Sequence, residues 1–135
     1  GLKLSQKNLK KIINKLQYYK IEVSLFINPN IKDVISSYKL GADAVEIHTG
    51  SFAKAIKNKN KKKITNEFKK IKNCKLECDK TKMKFNLGHG LDYNATKYLK
   101  KIKNINEYNV GHFIIGESLF EGFSKIVKKF KRIIN

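Results

Sequence analysis

Apolar residues along the chain alternate between two spacings, one typical of helices and one typical of buried strands. Residues 5–19 carry apolar positions at helical spacing, with Ser5 as a natural N-cap, and predict an amphipathic helix. Its predicted apolar stripe consists of Leu9, Ile12, Ile13 and Leu16. The run IEVSLFIN at residues 21–28 is nearly continuously apolar and rich in β-forming residues. Such a run is typical of a strand that is buried on both faces in a parallel sheet.

The order of a helix followed by a strand occurs four times. Residues 28–41 predict the second helix, in which Asn28 can cap the amino end, Pro29 suits the first turn and Gly41 suits the stop. Its predicted stripe is Ile31, Val34, Ile35 and Tyr38. Further strands are predicted at residues 42–50, 82–90 and 106–112, and further helices at residues 51–56, 64–80, 94–102 and 113–134. This alternation is the signature of β/α units on a parallel sheet, so we expect an α/β fold with residues 1–135 in a single domain.

The length and composition are typical of one folded domain. A chain of 135 residues with 41% hydrophobic and 30% charged residues can bury a core and is not expected to be disordered. No apolar run approaches the roughly 18 residues that a membrane span needs. Residues 1–11, GLKLSQKNLKK, lack the apolar block of a secretory signal. We therefore expect a cytoplasmic protein without a membrane partner.

The charge balance is strongly basic. Thirty Lys and Arg residues against eleven Asp and Glu residues give a formal net charge of +19. This charge is compatible with a nucleic-acid partner, with attraction of phosphorylated small molecules, or with lysine-rich solvated faces. Arg132 is the single arginine, although bidentate recognition favours arginine, and the basic tract at residues 57–63 has no interleaved aromatic residue for base stacking. We expect that tract to be a surface loop and expect no nucleic-acid partner, with a basic nucleic-acid-binding domain kept as an alternative.

The two cysteines lie close together in the sequence. Cys74 and Cys78 are four residues apart on a predicted helix, so they share one face. No second cysteine pair and no nearby histidine completes a four-ligand zinc set, and such a pair on one helix makes a poor disulfide. We expect a reduced, partly buried pair and no metal.

Candidate chemistry gathers where the predicted strands end. In VEIHTG, Glu46 and His48 are two residues apart and so point to the same face of a strand, while the apolar residues between them point to the other. His89 and His112 each follow another predicted strand. Sites in parallel β/α folds form at the carboxyl ends of the strands. The pattern therefore predicts that Glu46, His89 and His112 converge on one edge of the sheet.

Glycines accompany these histidines. Gly88 and Gly90 flank His89, and Gly111 precedes His112. Glycine lets the chain turn sharply and brings backbone N–H groups close to a ligand, and a helix that starts after the last strand adds an anion site. Phosphate is the expected anion. Three histidines on separate strands could instead bind zinc, and each could be a hydrogen-bonded structural residue. The residues alone predict a phosphate-ligand site with acid–base groups.

Four segments of the chain carry a family resemblance: EVSLFINPN, GADAVEIHTGSFA, NLGHGLDYN and NVGHFIIGESLFEGF. In this order they resemble pyridoxine 5′-phosphate synthase, a ring-closing enzyme family of vitamin B6 biosynthesis, over essentially the whole chain. The resemblance implies a TIM (β/α)8 barrel. It also implies condensation of 1-deoxy-D-xylulose 5-phosphate with 3-amino-2-oxopropyl phosphate to give pyridoxine 5′-phosphate, phosphate and water. No metal or organic cofactor is implied, and the assembly implied is a cytoplasmic homo-octamer.

The same resemblance implies roles for five residues. Glu46 matches the family's transition-state-stabilising glutamate, and His89 matches its proton-donating histidine. Gly90, Gly111 and His112 match contacts to the amino-ketone phosphate.

The sequence also departs from the family's pattern at three positions. Asn28 stands where the family often has an acid, Leu87 replaces a small residue, and Glu117 stands where a basic or small residue is expected. His48 has an inward direction but receives no family role.

The chain is short for the fold that the resemblance implies. A β/α barrel takes about 250 residues and eight strands, whereas this chain supplies about the last four β/α units. Four parallel strands alone leave two unpaired edges and an uncovered inner face. We therefore expect a piece of a longer polypeptide or one partner of a split barrel, with the missing N-terminal half-barrel as its partner. Alone it should be inactive and prone to associate. The alternative is an inactive β/α remnant that serves as a binding or assembly module.

Overall fold

A computed structural model describes residues 6–135, and within that range helices and strands follow one another in the predicted order. The helices are α1 (Gln6–Tyr18), α2 (Ile31–Leu40), α3 (Gly50–Lys57), α4 (Lys61–Cys78), α5 (Tyr93–Leu99), α6 (His112–Glu121) and α7 (Phe123–Ile134). The strands are β1 (Ser24–Ile27), β2 (Ala44–His48), β3 (Lys84–Gly88) and β4 (Glu107–Asn109). Ser5, the predicted cap of the first helix, lies outside the described residues.

The strands form one parallel sheet. They are hydrogen-bonded in the order β1-β2-β3-β4, the order in which they occur along the chain. This sheet confirms the predicted α/β fold of β/α units. In the register of the sheet, His48 pairs with Gly88, and Gly88 pairs with Asn109, so these residues form a row at the carboxyl ends of β2, β3 and β4.

The main core lies between the sheet and the helices. Val45 and Ile47 of β2 and Phe85 and Leu87 of β3 are buried and point away from Glu46 and His48, as their alternation predicts. They pack in one cluster with helical residues that include Phe52, Ile71, Ala95 and Leu99. Burial of each large apolar side chain contributes roughly 1.5–3 kcal/mol. This packing holds the carboxyl ends of the strands at fixed positions.

The first strand differs from its prediction. The run at residues 21–28 was expected to be buried on both faces, but in β1 Ser24 is exposed and Phe26 is 52% exposed, whereas Ile27 is buried. Phe26 pairs with Glu46 in the register of the sheet, so it lies on the face opposite to that of the buried Ile27 and Ile47. The apolar run thus marks a strand whose inner face is open in this chain.

The second helix is capped by a different asparagine from the predicted one. The helix begins at Ile31, and the Asn30 side chain accepts a hydrogen bond from the Lys32 N–H at 2.9 Å, so the prediction that Asn28 caps the helix is wrong. Gly41 ends the helix in the left-handed conformation at φ +85°, as predicted. The buried positions of the helix are Val34, Ser37 and Leu40, while two residues of the predicted stripe, Ile31 and Tyr38, are exposed.

The basic tract at residues 57–63 is not a continuous loop. Lys57 ends α3, Lys61 begins α4, and the short turn between them is closed by Asn60, whose side chain accepts a hydrogen bond from the Lys63 N–H at 3.0 Å. All residues of the tract are exposed, as expected. A good asparagine cap therefore lets the lysines begin a helix where a loop was predicted.

The cysteine pair lies on the sheet-facing side of α4. Cys74 and Cys78 are free and buried, with 0% and 1% exposure, which is deeper than expected. Burial, with smaller contributions from the charges of Asp33 and Cys78, raises the pKa of the Cys74 thiol to about 12. Burial also raises the pKa of Cys78. Both residues are therefore inert members of the core.

The last described elements are two consecutive helices. No residue of α6 is buried, whereas α7 buries Ile126 and Phe130. Gly122, at φ +83°, separates the two helices. Within residues 6–135, no helix is both long enough and apolar enough to cross a membrane.

Candidate active site

The three histidines lie at the same edge of the sheet. His48 is the last residue of β2, His89 directly follows β3, and His112 begins α6 shortly after β4. Glu46 precedes His48 by two residues on β2 and lies on the same side of the strand. The predicted grouping at the carboxyl ends of the strands is therefore present in the fold.

A cavity of about 680 Å³ opens at this edge. Its lining includes four of the five residues that the sequence predicted for the site, namely His89, Gly90, Gly111 and His112. The fifth, Glu46, lies outside the lining but is hydrogen-bonded to Asn109, which belongs to it. The lining also contains one basic residue, Lys57, and one acidic residue, Asp92, whose side chain caps α5 by accepting a hydrogen bond from the Ala95 N–H.

His48 and His89 form a stacked pair. Their ring centroids are 4.4 Å apart and the rings are inclined by 24°. The Phe26 ring lies beside both, at centroid distances of 5.4 Å from His48 and 6.4 Å from His89. Gly50 lies against the pair, since a Cβ atom there would be 2.8 Å from His48 Cε1 and 2.8 Å from His89 Cδ2. The absence of a side chain at residue 50 is therefore a condition for the stack.

The environment of His48 disfavours its charged form. Burial lowers the pKa of the His48 imidazole, and the charge of the neighbouring His89 lowers it further. Two imidazoles in contact cannot both carry a proton without repulsion. The contact with His89 and the burial therefore both favour the neutral form of His48.

The turn that carries His89 is held by Thr49. The single hydroxyl hydrogen of Thr49 is shared between the carbonyl oxygens of Gly88 at 2.9 Å and His89 at 2.7 Å, and the Thr49 N–H donates to the Gly88 oxygen at 2.8 Å. Thr49 is fully buried. His89 and Gly90 both adopt left-handed backbone conformations, at φ +70° and +77°. The hydrogen bonds from Thr49 hold a conformation that costs about 1 kcal/mol or more at a non-glycine residue.

The turn predicted at Gly90 is present, whereas Gly88 has a different role from the one predicted. The sharp turn uses Gly90 and His89, whereas Gly88 is in strand conformation and provides space for the Glu46 carboxylate. Gly111 has φ −105° and open space around its Cα, so neither a turn nor a close approach requires glycine there. The predicted contact of Gly111 with a ligand stays a prediction.

The helix predicted after the last strand is present. Gly111 is the N-cap of α6 and provides no side-chain cap, so N–H groups of the first turn are free of side-chain acceptors where the helix meets the cavity. Such N–H groups and the helix dipole favour an anion. The binding of a phosphate at this position stays a prediction.

Sequence reasoning missed three residues of this site. Thr49 holds the turn at His89, and Gly50 makes room for the stacked rings. Asn109 donates a hydrogen bond to Glu46. A signal for Asn109 was its position as the last polar residue before Gly111. Since its partner lies two strands away, that signal alone did not identify its role.

The departures from the family pattern lie away from the cavity lining. Leu87 is fully buried in the core on the helix side of β3. Asn28 is exposed before α2, and Glu117 is half-buried on α6. Within residues 6–135, no three His, Cys, Asp or Glu residues are arranged to hold a metal ion.

A parallel β/α sheet with an acid, imidazoles and free helix N–H groups at the carboxyl ends of its strands has the layout of a β/α-barrel enzyme site. The model of the family described as pyridoxal phosphate biosynthesis protein PdxJ matches residues 1–135. The chain belongs to this family, and its sheet represents part of the family's TIM barrel.

Several curated relatives match nearly the whole chain. It is 45% identical over 137 residues to pyridoxine 5′-phosphate synthase of Pelagibacter ubique, an alignment that covers 100% of this chain and 56% of the relative. It is 40% identical to the protein of that name from a Sulfurihydrogenibium species, with 93% of this chain and 50% of the relative covered. For the Geobacter protein the identity is 38%, with coverages of 98% and 54%. The chain thus spans about half the length of the curated relatives it matches.

Proposed function

We propose that this chain is the C-terminal half of a pyridoxine 5′-phosphate synthase, an enzyme of the transferase class. It would condense 1-deoxy-D-xylulose 5-phosphate with 3-amino-2-oxopropyl phosphate to form pyridoxine 5′-phosphate, phosphate and water. The relatives that carry this name support the proposal. The observation that carries it is the cavity in which His89, Gly90, Gly111 and His112 meet, beside the hydrogen-bonded Glu46.

Each proposed residue has a role that its environment supports. Ring closure needs imine formation, dehydration and loss of phosphate, so protons must be moved repeatedly. His89, stacked on a second imidazole, acts as proton donor, and the Glu46 carboxylate stabilises positive charge that develops in the transition state. Gly90 makes a backbone contact to the substrate 3-amino-2-oxopropyl phosphate, and Gly111 and His112 make further contacts to the same substrate. These steps use side chains and backbone amides, and the proposal requires no metal or organic cofactor.

The proposed enzyme is complete only with a partner segment. β1 and β4 are the edges of the four-stranded sheet, and a family barrel has further strands on both. The missing N-terminal half-barrel, on the same or a separate polypeptide, supplies these strands and the other substrate contacts. Residues 1–135 then form part of one barrel domain. The completed barrels assemble as a cytoplasmic homo-oligomer, which the family resemblance puts at an octamer.

The test is product formation by the completed barrel. With the N-terminal half supplied, the native protein should form pyridoxine 5′-phosphate, and His89→Ala should lower the turnover number by roughly 10²- to 10⁴-fold because a general acid is lost. Lys69→Ala, an exposed change on α4, serves as the control and should leave turnover unchanged. Absence of product from the native completed barrel would favour the inactive remnant. Full activity of His89→Ala would overturn the assignment of His89.

A further inference from the structure

The Glu46 side chain reaches across one strand to bond with the next. Glu46 lies on β2 and Asn109 on β4, and β3 lies between these two strands in the sheet. The Asn109 Nδ2 amide nevertheless donates a hydrogen bond to Glu46 Oε2 at 2.6 Å. The bond therefore passes over β3.

The Glu46 side chain can cross β3 because residue 88 has no side chain. Gly88 pairs with Asn109 in the register of the sheet and is the residue of β3 that lies beneath the bond. A Cβ atom at Gly88 would be 1.8 Å from Glu46 Oε1 and 2.6 Å from Glu46 Cδ. Real Cβ atoms do not approach other atoms this closely, so any side chain at residue 88 would displace the Glu46 carboxylate. Because Gly88 is in ordinary strand conformation, space rather than backbone freedom explains the glycine.

Asn109 connects this carboxylate to the cavity. Asn109 is one of the residues that line the cavity, together with His89, Gly90, Gly111 and His112. An amide is a neutral donor, so it orients the carboxylate while leaving its negative charge in place, unlike a lysine. Oε2 is held by Asn109, and Oε1 rests over Gly88.

We infer that Asn109 is a positioning residue that fixes the Glu46 carboxylate over Gly88 at the edge of the reaction cavity. The role of Glu46 in turnover rests on the proposed function, whereas the positioning of its carboxylate does not. A charge that is oriented before the reaction stabilises a transition state more effectively than one that must reorient. Asn109 therefore acts through Glu46 and not through contact with reacting atoms.

The kinetic test is a double-mutant cycle in the completed barrel. Asn109→Ala should lower kcat by roughly 10- to 100-fold with little change in KM, because a misplaced catalytic group costs rate more than binding. In the Glu46→Ala background, Asn109→Ala should cause no additional loss, since the carboxylate that it orients is gone. If the fold-decrease in kcat of the double variant equals the product of the two single fold-decreases, the inference is overturned.

Two further variants separate orientation from shape. Asn109→Asp keeps the size of the side chain but replaces the donor with an acceptor, so it should be at least as impaired as Asn109→Ala at neutral pH. Gly88→Ala should reproduce the defect of Glu46→Ala because its methyl group occupies the space in which the Glu46 side chain crosses β3. Native kcat in either variant would contradict the inference. Asn66→Ala, at an exposed position of α4, is the matched control and should have the kcat of the native protein.

A crystal structure of Asn109→Ala in the completed barrel tests the positioning without any assay. The Glu46 carboxylate should leave Gly88, while the backbone of β2 and β4 and the unfolding temperature remain those of the native protein. A carboxylate that stays over Gly88 would overturn the inference. If the native barrel forms no pyridoxine 5′-phosphate, the proposed function fails, and this structure still decides whether Asn109 positions Glu46.

Discussion

At the scale of single residues, the candidate site depends on three glycines that do three different things. Gly50 leaves room for the His48–His89 stack, Gly88 leaves room for the Glu46 carboxylate, and Gly90 continues the left-handed turn that begins at His89. In the first two cases the controlling quantity is distance to a neighbouring side chain. In the third it is the backbone angle. Substitutions at these glycines should therefore fail for different reasons.

Thr49 is the residue whose loss should most directly release the His89 turn. Thr49→Val keeps the shape of the side chain but removes the hydroxyl donor that the Gly88 and His89 carbonyl oxygens share, while the Thr49 N–H still bonds the Gly88 oxygen. We therefore expect a loss of about 0.5–1.5 kcal/mol in the free energy of unfolding. Urea unfolding of the completed barrel measures this loss in the free energy of unfolding. Thr65→Val is the matched control, because the Thr65 hydroxyl bonds a carbonyl oxygen on the exposed side of α4. Equal effects of the two changes would contradict the role given to Thr49.

The lowered pKa of His48 has a consequence for stability in acid. Since burial and the charge of His89 depress this pKa in the folded protein, the unfolded chain binds the proton more readily. The stability from neutral His48 is present above the ordinary histidine pKa, about 6.5, and is lost as the pH falls below it toward the depressed value. Unfolding temperatures measured from about pH 7.5 to about pH 5.5 should fall less steeply for His48→Asn than for the native protein. If the unfolding temperatures of His48→Asn and of the native protein fall equally with pH, His48 is not the cause of the pH dependence.

At the scale of elements, local capping decides where helices begin more than the apolar stripe does. Asn60 caps α4 inside a run of lysines, and Asn30 caps α2 directly after Pro29. In both cases an asparagine oxygen accepts a hydrogen bond from an N–H group that has no partner within the helix. The chemistry of these caps was readable from the sequence, but the choice between two nearby asparagines in α2 was not.

The cap of α2 gives a sharp comparison between those two asparagines. Asn30→Ala should lower the free energy of unfolding by about 1 kcal/mol, because the Lys32 N–H loses its acceptor. Asn28→Ala, two residues earlier and exposed, should change it by less than about 0.5 kcal/mol. Chemical denaturation of both variants measures the difference. A larger loss for Asn28→Ala would show that the helix begins earlier than described.

At the scale of the whole molecule, the chain has a well-packed helix side and an open strand side. The cluster around Ile47, Phe85 and Ile71 is fully buried, whereas Phe26 on the inner face of β1 is 52% exposed. Further large apolar side chains are exposed on α6, where Leu119 is 81% and Phe120 is 87% exposed. Exposed apolar area of this kind, together with two sheet edges, is typical of a surface that another segment covers.

The chain without the N-terminal half should therefore associate with itself. Size-exclusion chromatography of the isolated chain is expected to give species larger than a monomer, because open sheet edges and exposed apolar residues pair between copies. Supplying the N-terminal half should replace these species with a defined assembly and restore turnover. A stable isolated monomer would contradict the expectation that the sheet needs further strands.

The sequence by itself determined the order of helices and strands and the edge of the sheet at which Glu46, His89 and His112 lie. It could do so because the alternation of apolar and polar residues indicates on which face of a strand each side chain lies. In addition, the active sites of β/α folds form at the carboxyl ends of the strands. Only the tertiary structure decided that Glu46 bonds to Asn109 over Gly88 and that His48 stacks on His89 beside Gly50. These contacts join residues far apart in the chain, so they depend on strand order and register, which the packing of the whole sheet sets.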